Sequence, residues 1–208
     1  MHERDVEFWT SAIDRVFAVG GATAGESLDE VRGSLLADVQ RRTERADGGD
    51  VVWLASALGQ SEMRLGIAVF FERLGWMPGA LFESMIEAAV AQAAVDERSA
   101  RFFVGACRTT VGLRRINDAL LERLERGTAS DRIGAARALR FALPNERGLD
   151  ALGDVGARRR RVMLERFIDT DDGTLRRALI DQLELERSTD ELGELEAEAR
   201  RIAQTVKR

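Results

Sequence analysis

DDGTLRRALIDQLEL, residues 171–185, reads as one short amphipathic helix entered through an acidic turn. A weaker echo lies at 130–143, SDRIGAARALRFAL. Laid over each other 40 residues apart, the two share Asp131/Asp171, Arg137/Arg177, Ala138/Ala178, Leu139/Leu179 and Leu143/Leu183. A unit of that length is one helical hairpin, too small to bury its own apolar face. The period therefore predicts stacked hairpins.

Outward from that pair, the same short-helix punctuation continues. Toward the N-terminus, Val6, Trp9, Ile13, Val16 and Phe17 follow helical spacing over 3–18. Gly20, Gly21 and Gly25 break the chain, and Ser27 with Glu30 forms a capping box for a helix through Leu28, Val31, Leu35 and Val39. Gly48 and Gly49 end it. The run VVWLASAL after Asp50 is apolar on every side, which predicts a buried short helix. Helix 61–74 follows, then Pro78 suits the first turn of the next, where its missing N–H costs nothing. An Ala-rich helix over 81–94 leads to one through Phe102, Phe103 and Cys107, and to another through Leu113, Ile116, Leu120 and Leu124. Beyond it come the 131–143 helix stopped by Pro144, a short turn over 146–153, and helices at 155–168 and 172–185. Ser188 and Glu191 make a second capping box. The last helix has acids first and bases last, as the helix dipole favours.

A chain of 208 residues, 45% hydrophobic and 32% charged, has enough material for one core and reads as folded rather than disordered. The net charge of −5 argues against a generally basic nucleic-acid binder while leaving room for a local basic face. Arginine supplies nearly all the positive charge, Lys207 being the one lysine. A single cysteine, Cys107, precludes an internal disulfide and fits a reducing cytoplasm. MHERDVEFW lacks the apolar core of a signal peptide, and no run approaches the ~18 apolar residues of a membrane span.

Residues 172–183 resemble the second helix of a HEAT-like repeat: an acidic turn at Asp172, Leu175 followed by Arg176, the small Ala178, and a closing Leu183. Met63-Arg64 with Ala68 and Leu74 looks similar but less complete. The 130–143 copy departs from the pattern. If Ile133 is the aliphatic position, Gly134 replaces the arginine and the offset becomes 42. The resemblance implies an all-α fold, a right-handed α-α superhelix of about ten to twelve short helices. It divides as a hairpin over 1–47, HEAT-like hairpins over 50–185 and a capping helix over 188–208.

Chemistry is sparse. His2 is the one histidine, which leaves no Ser–His or Cys–His nucleophile pair and no His-based metal site. Cys107 in FFVGACR reads as a small buried hydrophobe. Asp169, Asp171, Asp172 and Gly173 look like a calcium loop until the spacing is checked: glycine falls one place early and Ile180 stands where a glutamate belongs. Helix capping by the carboxylates is the simpler reading. No phosphate-cradling glycine motif follows a strand, and no catalytic residue, metal or cofactor is expected. The candidate binding residues are Trp76, in the GWMPG connection, and Arg158, Arg159, Arg160 and Arg161, joined by Arg176 and Arg177. Trp9 and Trp53 belong to apolar stripes and are expected in the core. Four consecutive helical arginines cannot share one solvated face, so ion pairs to neighbouring hairpins compete with an anion-binding patch. The expectation is a cytoplasmic, non-catalytic module that holds another protein on a helical-repeat surface, with homo-oligomerisation left open. The alternative is a nucleic-acid binder resembling the HEAT-like alkylpurine DNA glycosylases, although no catalytic acid maps onto a matching motif.

Overall fold

Within the described residues, the breaks foreseen at Ser27, Gly48 and Pro78 fall between helices of the computed structural model, which describes residues 3–18, 27–45, 48–143, 152–183 and 192–206. Among these there are ten α-helices and no strand. The glycine break at 20–25, His2, Pro144, most of the 146–153 turn, the Ser188/Glu191 box and Lys207 lie outside the described residues.

Local chemistry sets the helix ends. Ser27 Oγ accepts from Glu30 N at 3.3 Å while Glu30 Oε2 accepts from Ser27 N at 2.7 Å, which closes the capping box that starts α2 (Leu28–Thr43). Thr128 and Asp131 repeat the arrangement at the start of α7 (Ala129–Leu139). Asp172 accepts from Thr174 N and Leu175 N at the start of α9 (Gly173–Ile180), so this carboxylate is a helix cap. The stretch Ala100–Arg126, α6, contains the two helices foreseen there, broken at Gly112 with φ 78° and ψ 160°. Only glycine adopts that conformation without strain.

The chain forms two compact units. The first comprises Met1–Ala88 and Phe102–Gly112. In it α1 (Glu3–Ala18) packs on α2 and on α4 (Ser61–Leu74), and α3 (Gly49–Gly59) packs on α4 and on the 3-10 turn Gly79–Leu81. Trp9 is fully buried, edge-on to Phe70 with ring centroids 6.2 Å apart and 6.4 Å from Phe71, and Leu54, Leu58, Leu74 and Met77 are buried in the same unit. Pro78 precedes the 3-10 turn, which runs straight into α5 (Phe82–Val95).

The second unit comprises Ala89–Arg101 and Leu113–Arg208. Here α9 packs on both α7 and α8 (Asp154–Asp169), and α10 (Gly193–Val206) packs on α8. The matched residues Leu139 and Leu179 are both fully buried, alongside Leu120, Leu124, Met163, Leu164 and Phe167. Gly134, where the echo departs from the repeat pattern, has a packing reason. A Cβ there would meet the carbonyl carbon of Val90 at 2.9 Å and overlap its oxygen, so α7 approaches the backbone of α5 more closely than any side chain permits.

Candidate interaction surface

α3 departs from its expected burial. Leu54, Ala57 and Leu58 face the core of the first unit, and Asp50, in the first turn, is buried as well. That carboxylate is accounted for: its Oδ1 accepts from Trp9 Nε1 at 2.7 Å, with Arg42 at 3.9 Å and Arg45 at 3.7 Å. The other side of α3 is open. Val52 is 69% exposed, Ser56 and Gly59 are exposed, and Val51, Trp53 and Ala55 are half-buried. An apolar helix of this kind normally has neighbours on all sides. The core of the first unit covers one side, and the rest of the helix turns Val52 and a part of Trp53 to solvent.

Trp76 is half-buried in its connection, next to Met77, whose N–H and carbonyl both bond the Thr110 hydroxyl at 3.2 Å. The arginine run is pulled apart. Arg158 pairs with Asp118 at 3.2 Å and Glu125 at 2.6 Å on α6, and these carboxylates raise its guanidinium pKa, the Glu125 hydrogen bond most of all. Arg160 reaches Glu196 on α10 at 2.8 Å. Arg161 is exposed. Arg159 points inward, 2% exposed, and donates to Asn117 Oδ1 at 2.7 Å, Leu139 O at 3.0 Å and Gln182 Oε1 at 3.1 Å. Burial pulls this guanidinium down to about 10, which still leaves it cationic at neutral pH. Arg176 bonds the carbonyls of Phe167 and Thr170, and Arg177 that of Gly173 in its own helix. Trp76 and the arginines lie in different units, so they are not brought together as one patch within either.

A second use of arginine was not foreseen. Arg32 bonds Leu74 O at the end of α4, Arg73 bonds Val16 O near the end of α1, and Arg137 bonds Ala93 O and Ala94 O at the end of α5. Together with Arg64, which bonds Gly59 O at the end of α3, Arg159, which bonds Leu139 O at the end of α7, and Arg176 at the end of α8, a guanidinium from another helix closes six helix C-termini. The last carbonyls of a helix lack intrahelical donors and carry partial negative charge, so this is where a long cationic side chain gains most. Charge balance in the sequence could not reveal this, because the acceptors are backbone atoms.

Cys107 is buried, and desolvation, with a smaller contribution from the Glu83 charge, pushes its thiol up to about 12, which removes nucleophilic reactivity at neutral pH. Among the described residues no group of three or more His, Cys, Asp or Glu is placed to hold a metal ion, and no helix is long and apolar enough to cross a membrane. The chain matches no protein-family model, no curated protein and no solved structure.

Proposed function

We propose that this chain is a non-catalytic, cytoplasmic protein-binding module built as a right-handed superhelix of HEAT-like hairpins. In support of the repeat, α6 and α8 are tied by Arg114–Asp154 and Asp118–Arg158, both at a sequence separation of 40, and by Asn117–Arg159 at 42. On the α7 side, Gln182 donates to Ala136 O at a separation of 46. A near-constant step between facing helices is what stacked hairpins require. The single buried cysteine is in keeping with a reducing compartment.

The observation that carries the binding role is the open side of α3. Val52 beside Trp53 offers an apolar anchor of the kind that dominates protein interfaces when a partner excludes water from it. The test is capture from a nuclease-treated lysate by the parent chain and by Val52→Glu, with circular dichroism confirming that both are folded. Partner recovery by the parent and its loss in the variant is expected. Equal recovery, or none, overturns the surface.

The nucleic-acid alternative has less to rest on, since Arg158 and Arg160 are engaged with carboxylates and Arg159 with the core. It falls to Arg161 and Arg177, both exposed. Titration with duplex and single-stranded DNA at ~50 and ~200 mM salt discriminates, because phosphate contacts release counterions. Tight, salt-sensitive binding that Arg161→Ala/Arg177→Ala abolishes would replace the protein-binding reading.

A further inference from the structure

The geometry points to the occupant of the open side of α3: a basic amphipathic helix of another protein, held by apolar contact at Val52 and by carboxylates at both ends. This rests on the protein-binding reading and names the chemistry of the partner. α3 has 11 residues, so it presents ~16 Å of helix, about three turns. Val52, Ser56 and Gly59 recur at helical spacing along its exposed line, with half-buried Trp53 on one shoulder and Ala55 on the other. No charged side chain lies on that line. A Cβ added at Gly59 would meet nothing within 4 Å, so the line is bulky near its start and low near its end. A second helix can therefore lie close along it, with its own large side chains over Ser56 and Gly59.

Charge selects which helix. The first unit holds 15 of the chain's 36 carboxylate side chains but nine of its 31 basic ones, so the acidic surplus of the whole chain resides there. Its arginines are largely committed. Arg32, Arg64 and Arg73 donate to backbone carbonyls, and a guanidinium spent in that way neutralises no carboxylate. Arg42 and Arg45 face buried Asp50, and Arg41 pairs with Asp38 at 3.2 Å. The consequence shows on α2 and α4, which both pack on α3. Glu44, just past the end of α2, and Glu62, in the first turn of α4, are exposed and have no ion-pair partner among the described residues. One precedes Gly49 closely in the chain and the other closely follows Gly59, so they bracket the uncharged line of α3. Two copies of so acidic a unit repel each other, and the same carboxylates repel nucleic-acid phosphate and an anionic membrane. A cationic helix is attracted at both ends and excludes water from Val52 between them.

Two labelled helical peptides of about three turns are the probes, each with leucines along one side and either lysines or glutamates on the flanks. The full-length parent should bind the lysine peptide at least about 10-fold more tightly than the glutamate peptide, and more weakly at ~200 than at ~50 mM salt. Glu44→Gln/Glu62→Gln should remove most of that preference. Glu7→Gln/Asp14→Asn, on exposed positions of α1, should leave it unchanged. Val52→Ser keeps the charge of the chain and should lose the lysine peptide. Circular dichroism checks that each of these surface variants is folded. Equal binding of the two peptides, binding of neither, binding that survives Val52→Ser, or equal loss from both carboxylate pairs would overturn the basic helix. Parent dimers that Val52→Ser dissolves would replace it with a second copy of the chain. The protein-binding reading fails separately, because lysate capture that depends on Val52 can stand where the two peptides are not told apart.

Discussion

Arg159 and Asn117 stand 42 residues apart in sequence and 2.7 Å apart in the core of the second unit, guanidinium to amide oxygen. Among the described residues, every acceptor that Arg159 reaches is neutral. Asn117 completes the cluster by donating to Leu113 O and Ala142 O, and Gln182 by donating to Ala136 O and Ala178 O. Four helices and the turn after α9 thus share one satisfied polar network, and such networks are costly to leave half-made.

Arg159→Ala should therefore destabilise by about 2–6 kcal/mol, since two buried acceptors lose their donor at roughly 1–3 kcal/mol each and the half-buried Gln182 loses a third bond. Asn117→Ala should be damaging as well. The double variant should fall short of the sum, with a coupling of about 0.5–3 kcal/mol in urea melts. Additive losses would mean that the two side chains act independently.

Two glycines should respond with opposite signs. Gly134→Ala drives a methyl group into the Val90 carbonyl and should cost about 1–3 kcal/mol or more. Gly33 sits inside α2 with nothing within reach of a Cβ, so Gly33→Ala should stabilise by about 0.5–1 kcal/mol. Thermal melts of the two single variants decide this, and a shared sign would contradict the close approach of α7 to α5.

Leu179→Ala should cost about 2–5 kcal/mol through lost burial and a residual cavity. Glu194→Ala, on an exposed position of α10, should stay within about 0.5 kcal/mol. Comparable losses in denaturant titrations would refute Leu179 as a core position.

Alkaline pH gives a cleaner readout than usual, because the chain has no tyrosine and one lysine. The Cys107 thiol is raised from its ordinary 9.0 to about 12 by burial. Above pH 9 the unfolded chain gives up this proton while the folded chain keeps it. Stability supplied by the thiol is thus complete below pH 9 and is lost as pH rises toward 12, by up to about 4 kcal/mol. Arg159 acts in the opposite sense above about 10, since its depressed pKa lets the folded state shed a proton first. The difference between parent and Cys107→Ala isolates the thiol, and identical pH profiles would show that it is accessible to solvent.

Much of the fold was legible because its boundaries are local. The Ser27 capping box and the Asp172 cap each depend on residues within a few positions of one another, and apolar spacing divides 100–126 into two helices without naming Gly112 as the break. What sequence could not supply was partnership over distance. Asp50 looks like the start of a helix, and only the fold brings Trp9 to it. VVWLASAL gives no period by which to tell a helix covered on all sides from one left open at Val52. The four arginines at 158–161 look alike in sequence, yet helical geometry sends them to α6, the core, α10 and solvent in turn.

The closing of helix ends by guanidinium groups bears on which substitutions this chain can accept. A lysine keeps the charge but offers one compact ammonium in place of a planar fork, so it cannot span two carbonyls as Arg137 spans Ala93 and Ala94. Arg137, Arg159 and Arg176 each reach two or more acceptors, so lysine should cost stability at these positions, while exposed Arg161 should accept it. At these helix ends arginine acts as a shape as much as a charge.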